Sequence, residues 1–182
     1  ITDMLRSRFP AHKFIVEESA RSGPDSEYCW YIDPLDGTTN FAHTYPHFAV
    51  SIALAHESKI IVGVVHDPLR NETFCASRNG GAYLNGKSIH VSSAAQLDQS
   101  LLLTGFPYDR RTRSAYYLRY YEAFMLRTHG VRRSGSAALD LCYVACGRAD
   151  GFWEWRLNPW DIAAGSLLVE EAGGRTSDFS GA

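Results

Sequence analysis

The chain has 182 residues, 45% of them hydrophobic and 21% charged, with a formal net charge of -2. That length supports one domain with a sizeable core, and the composition excludes a disordered chain. The near-neutral balance sets up no global field toward nucleic acid or membrane surfaces, and no apolar run approaches a bilayer span.

The elements follow in chain order. "ITDMLRSRF" carries Ile1, Met4 and Leu5 at helical spacing and is closed by Pro10. "KFIVEE" reads as a short strand with Glu17 and Glu18 at its end, followed by a loop, "SARSGPDSE", rich in turn formers. "YCWYID" is a buried strand ending at Asp33, and "TTNF" beyond it opens a helix. "FAVSIALAHESKIIVGVVHDP" gives two strands joined near Glu57 to Lys59; "ETFCAS" and "GAYLNGKSIHV" add more, with Asn85-Gly86 as a hairpin turn. "SLLLTGF" is a strand. "RSAYYLRYYEAFMLR" is a helix whose Tyr117, Tyr120, Tyr121 and Phe124 are expected in the core. "GSAALDLCYVACG" is a helix entered at Gly135-Ser136, and "ADGFWEW" is a strand. In "NPWDIAAGSLLVEEAGG", Asn158 as N-cap, Pro159 at N1 and the paired glycines bound a last helix. Helices mixed with antiparallel hairpins make a layered α+β domain.

Chemistry concentrates in "WYIDPLDGTTNF". Pro34 fixes its own φ and favours an extended Asp33, after which the chain can turn so that Asp33, Asp36 and the Leu35 carbonyl converge. Two carboxylates and a carbonyl form a hard oxygen set suited to Mg²⁺ or Mn²⁺, whose charge offsets the repulsion between the acids. Free N–H groups at Gly37, Thr38 and Thr39 would hold an anion such as phosphate beside that cation. Glu17 at a neighbouring strand end and Asp161 at a helix start are candidates to join the set. Glu18 reads as a solvated neighbour.

"EES" together with "WYIDPLDGTTNF", "GSAALDL" and "NPWDIAAGSLLVEEAGG" resembles the inositol monophosphatase family of Mg²⁺-dependent, lithium-sensitive phosphatases, in consistent order from Phe9 to Gly174. The resemblance implies an αβαβα layered sandwich, usually a homodimer. It implies metal ligands at Glu17, Asp33, the Leu35 carbonyl, Asp36 and Asp161, with Glu17, Asp36 and Thr38 as the catalytic set. Substrate contacts fall on Leu35, Gly37, Thr38, Gly135, Ser136, Ala137, Glu154 and Asp161, Glu154 meeting ring hydroxyls and Thr38 helping to activate the attacking water. The implied reaction is hydrolysis of a small-molecule phosphate monoester by metal-activated water, the protein supplying position and charge compensation.

Relatives on the same fold hydrolyse adenosine bisphosphates, fructose bisphosphate or histidinol phosphate, and "GTTNF" favours the inositol branch over these. Other bacterial relatives act in transcription or ribosomal RNA processing, for which Arg110, Arg111, Arg113, Arg132 and Arg133 would be the contacts. The family pattern also carries an N-terminal helical segment, with an acidic partner for the activating threonine, and C-terminal strands and a helix. Residues 1–182 are therefore expected to be a single phosphatase domain lacking both ends. His43 and His47 are assigned no role, because an all-oxygen site needs no imidazole. Four cysteines are too few for a disulfide scaffold; Cys142 and Cys146 share a helix face and read as core. "ITDMLRSRFP" has no secretory core segment, so the cytoplasm is the expected compartment.

Overall fold

The computed structural model describes residues 1–181, apart from the side chains of residues 19–22; Ala182, the end of the terminal "TSDFSGA", lies outside them. Helix α1 (Thr2–Arg8) stops ahead of Pro10 as its spacing predicts. Strand β1 (Lys13–Val16) pairs in parallel with β3 (Tyr28–Asp36). The stretch read as a loop instead begins with β2 (Ser19–Ser22), antiparallel to β1 with Phe14 opposite Ser22 and Val16 opposite Ser19. The turn formers describe the chain after Ser22, whereas the strand is made by the free edge of β1, which local propensity does not register.

Strands β4 (Ala49–His56), β5 (Lys59–Asp67), β6 (Glu72–Ser77), β7 (Gly81–Leu84) and β8 (Lys87–Ser88) continue the sheet as antiparallel neighbours, in the order β2-β1-β3-β4-β5-β6-β7-β8. Both predicted hairpin turns hold their central residues in the left-handed region, Glu57 and Ser58 at φ 48° and 66°, Asn85 and Gly86 at 47° and 77°. A second, parallel sheet places β9 (Leu101–Thr104) between β10 (Gly130–Arg132) and β11 (Gly151–Trp153). Strand β10 was not foreseen; with Val131 as its one buried residue it has no alternation to read.

The helices are α2 (Thr38–Ala42), α3 (Arg110–Met125), α4 (Ala137–Ala145) and α5 (Pro159–Glu171). They make the αβαβα order. Leu5 of α1 packs with Phe14, Val16, Trp30 and Ile32 on one face of the large sheet. On the other face, Ala49, Ala53, Val65 and Phe74 meet Leu139 and Cys142 of α4 and Leu167 and Leu168 of α5. Helix α4 also touches β9 and β11, and α3 covers the small sheet, its Phe124 ring 4.5 Å from that of Trp153. Cys142 lies in the core and Cys146 against it, both as free thiols, as the helical spacing suggests. Of the α3 aromatics, Tyr117 is fully buried but Tyr120 is exposed, because this outer helix has only one sheet to cover. No described helix is long and apolar enough to cross a membrane.

Alternation along the strands decides which residues reach α5. In β3, Trp30 and Ile32 point toward α1, so Tyr31 and Asp33 point toward α5. Helix α5 approaches closely because β5 has a glycine beneath it: a Cβ on Gly63 would lie 2.8 Å from the Ala164 carbonyl oxygen and 2.9 Å from its Cα. Gly63→Ala is therefore expected to cost about 1–3 kcal/mol by overpacking against backbone, read as a lower denaturation midpoint with an unchanged denaturant slope.

Candidate active site

Two aspartates three residues apart would face opposite sides of a regular strand. The structure resolves this with a β-bulge. Asp33 pairs with Ser51 and Asp36 with Ala49, so three residues of β3 advance against two of β4. The extra residue returns Asp36 to the face of Asp33, Ser51 and Ala49, toward α5. Pro34, which has no N–H to give a ladder, sits within that irregularity. The strand thus runs through Asp36 and not, as its sequence suggests, only to Asp33.

Each acid is anchored. Asp33, 1% exposed, accepts a hydrogen bond from the Leu35 N–H at 2.8 Å. Asp36 Oδ2 accepts from the Ser136 hydroxyl at 2.5 Å and the Ala138 N–H at 2.8 Å, docking it on the start of α4. Asp161 Oδ2 accepts from the Asn158 N–H at 2.7 Å, locking the first turn of α5. The Ser51 hydroxyl donates to the Trp160 carbonyl at 3.3 Å, tying that turn to β4. Glu17 follows β1 directly, and its N–H donates to the Ile32 carbonyl at 3.1 Å, which sets it beside Asp33.

The acids act on one another. Burial, and then the charge of Asp36, pushes the Asp33 carboxyl up to about 8, with Glu17 adding to the effect. Burial also raises Asp36, against hydrogen bonds from Ser136, Ala138 and Ala137. Asp161 is pushed up to about 6 by burial, opposed by the Asn158 N–H and reinforced by the charges of Asp36 and Glu17. Glu154, just past β11, is raised to about 7 by burial; Arg133 lowers it, and Asp36 and Asp161 raise it further. Glu17, Asp33, Asp36, Glu154 and Asp161 thus form one electrostatic group, with Glu18 outside it. Several carboxylates held together in a partly dry place suit a hard divalent cation, because only a positive charge offsets both desolvation and repulsion.

Gly37 opens α2 at φ 92°, where a Cβ would lie 3.0 Å from the His47 carbonyl oxygen. The Thr38 hydroxyl donates to the Leu35 carbonyl at 3.2 Å, leaving that oxygen a second lone pair. A cleft of about 440 Å³ lies over this turn, lined by Glu17, Glu18, Thr38, Thr39, Ala42, His43 and Tyr108. Gly135 (φ 90°) and Ser136, the N-cap of α4, face the same junction. Sequence reasoning missed Asp140 of α4. It is 1% exposed, its Oδ1 has no hydrogen-bond partner among the described residues, and burial, then Glu154 and Asp36, hold it well above the usual carboxylate range. An acid on the fully apolar side of "SAALDL" was the available signal.

No three of these acids have ligand atoms within 4.8 Å of one another; among the described residues that spacing occurs in one trio, Glu27, His56 and Glu57. It lies at the opposite end of β3 and β4 from the acidic group, and its two glutamates are exposed.

This arrangement can be set beside known proteins. The model of the inositol monophosphatase family matches residues 1–182. The chain belongs to the inositol monophosphatase family. It is 50% identical over 182 residues to the Nus factor SuhB of Salmonella typhimurium, covering all of this chain and 68% of that protein. It is 52% identical to the inositol-1-monophosphatase of Synechocystis, covering 98% of this chain and 63% of that protein. The structure of inositol monophosphatase from Anabaena (Nostoc) superimposes with a TM-score of 0.92 at 50% identity, over 96% of this chain and 69% of that one. Relatives of this chain thus carry both the name inositol-1-monophosphatase and the name Nus factor SuhB.

Proposed function

We propose that the protein is a Mg²⁺-dependent phosphomonoesterase that releases phosphate from inositol monophosphate or a related polyol phosphate, with residues 1–182 as one catalytic domain in a homodimer. The observation that carries this reading is that Glu17, Asp33, Asp36 and Asp161, from three separate parts of the chain, are brought to one end of the sheet, where the charges of Asp36 and Glu17 act on their neighbours. Those four carboxyls, with the Leu35 carbonyl, would hold the cation. A bound Mg²⁺ supplies Lewis acidity to the phosphate ester and to the attacking water.

The chain's own residues supply the geometry. The Thr38 proton is engaged by the Leu35 carbonyl, so the hydroxyl offers its lone pairs to a water and orients that water's oxygen toward phosphorus. Gly37 lets backbone approach the phosphate without a side chain between them. Ser136 and the Ala138 N–H tie the α4 entry to Asp36, and Glu154 would accept from ring hydroxyls. Release of inorganic phosphate from myo-inositol 1-phosphate, with and without Mg²⁺, tests the reading; no Mg²⁺-dependent release rejects it. Histidinol phosphate and adenosine 3',5'-bisphosphate measured alongside test the branch. Glu154→Gln is expected to lower kcat/KM for inositol 1-phosphate by about tenfold. Thermal stabilisation by Mg²⁺ should stay the same, and a large loss of it would move Glu154 from the substrate to the cation.

A second reading is favoured by one observation. Arg110, Arg111 and Arg113 at the start of α3, with Arg132 ending β10 and Arg133 just after it, are all exposed. They would meet the phosphates of an RNA partner, and the Salmonella relative is named a Nus factor. Phosphate contacts of that kind weaken as salt rises, so an RNA affinity that ignores salt would dismiss it.

A further inference from the structure

The turn that follows Asp36 and the loop that enters α4 are about 95 residues apart in the sequence, and two ties join them. One is the Asp36 carboxylate on Ser136 and Ala138. The other is neutral. Asn40 Nδ2, in α2, lies 2.7 Å from the His47 carbonyl oxygen, 3.0 Å from that of Ser134 and 3.3 Å from that of Gly135. An amide NH₂ has two protons for these acceptors, so at least one is shared. The convergence of three carbonyl dipoles on one atom demands a donor; a carboxylate there would be repelled by all three. The flanking glycines make room. A Cβ on Gly135 would lie 3.1 Å from Asn40 Nδ2 and 3.2 Å from its Oδ1, and a Cβ on Gly37 would press on the same His47 carbonyl that Asn40 binds.

We infer that Asn40 is a positioning residue: its amide holds the phosphate-facing turn Gly37–Thr38 in register with the polyol-facing loop Gly135–Ala137, so that one substrate can meet both in reactive geometry. The inference rests on the phosphomonoesterase reading for its substrate and on the hydrogen bonds alone for the clamp. Asp36 cannot do this work by itself, because its carboxylate also faces Glu17, Asp161 and Glu154. The neutral tie keeps the register whatever charge stands beside Asp36. Asn40 touches no reacting atom in this account, and its effect should fall on substrates that span the junction.

Two measurements on wild type, Asn40→Ala and Asn40→Asp decide it. In amide hydrogen exchange, residues 37–42 and 134–138 are expected to speed up together by about tenfold or more in both variants, with β4 to β6 unchanged. Unchanged exchange, or acceleration of one segment alone, overturns the clamp. In kinetics, kcat/KM for myo-inositol 1-phosphate should fall by about 10²-fold, while p-nitrophenyl phosphate, which has no polyol to place, should lose less than about tenfold. Parallel losses on both esters overturn the positioning role, because a merely loosened protein would lose both alike. If wild type releases phosphate from neither ester, the phosphatase reading falls, and the exchange result still decides the clamp.

Discussion

Asp36→Asn is expected to lower phosphate release from inositol 1-phosphate by about 10³-fold, equivalent to about 4 kcal/mol of transition-state stabilisation, while the metal-free protein melts at a higher temperature. The two effects have one origin. Asp36 is the acid to which the others respond: its charge contributes to the upward shifts of Asp33, Asp161, Glu154 and Asp140. Asparagine can turn its carbonyl oxygen to the Ser136 hydroxyl and Ala138 N–H and so keep the dock on α4. It cannot supply the negative charge that a cation would share with Asp33 and Glu17. Removing that charge relieves its neighbours, so the variant gains stability as it loses function. Phosphate release and thermal melts of the same preparation check both halves. Near-normal turnover would place the cation elsewhere, and a lower melting point would show that the dock on α4, and not charge, dominates at Asp36.

The parts of this site legible in the sequence are those where one residue type has few alternative uses. "DPLDGTT" packs two carboxylates and a glycine turn into one short stretch, and Asn158-Pro159 fixes where α5 starts and hence where Asp161 stands. The Asn85-Gly86 turn was legible because only a few residues tolerate positive φ, and the Glu57–Lys59 turn because a polar break separates two β-branched runs. What could not be read was register. Whether Asp33 and Asp36 share a face depends on one extra residue in the β3–β4 ladder, and only the pairing of Asp36 with Ala49 reveals it. Strand β2 was hidden for a related reason, since its partner supplies what its composition lacks. Asn40 stood in the quoted motif without a role, because its acceptors Ser134 and Gly135 lie more than 90 residues away. Long-range hydrogen bonds leave no periodic trace.

The metal-free protein is expected to lose stability as pH rises from 5.5 to 8, with Mg²⁺ restoring it most at the alkaline end. Asp161 is raised to about 6 and Asp33 to about 8, each from an ordinary value of 3.8, and burial is the first cause in both. The sign follows from the direction. A carboxyl whose folded pKa lies above its unfolded one binds more protons when folded, so its contribution is fully present below about pH 4 and is lost as pH climbs through the folded value. The losses therefore build up from about pH 4 and are complete near pH 6 for Asp161 and near pH 8 for Asp33, which leaves Asp33 the larger share above pH 5.5. A fall in Tm of about 5 °C or more between pH 5.5 and pH 8 is the expected scale for a chain of this length. A divalent cation that binds only the folded, ionised cluster reverses this by mass action, so the rise in Tm with Mg²⁺ should be larger at pH 8 than at pH 5.5. Asp33→Asn should flatten the pH dependence of the metal-free protein and blunt the response to Mg²⁺ together. A Tm that climbs from pH 5.5 to 8 without metal, or a Mg²⁺ response that is the same at both values, would show that these carboxyls do not gather around a common cation.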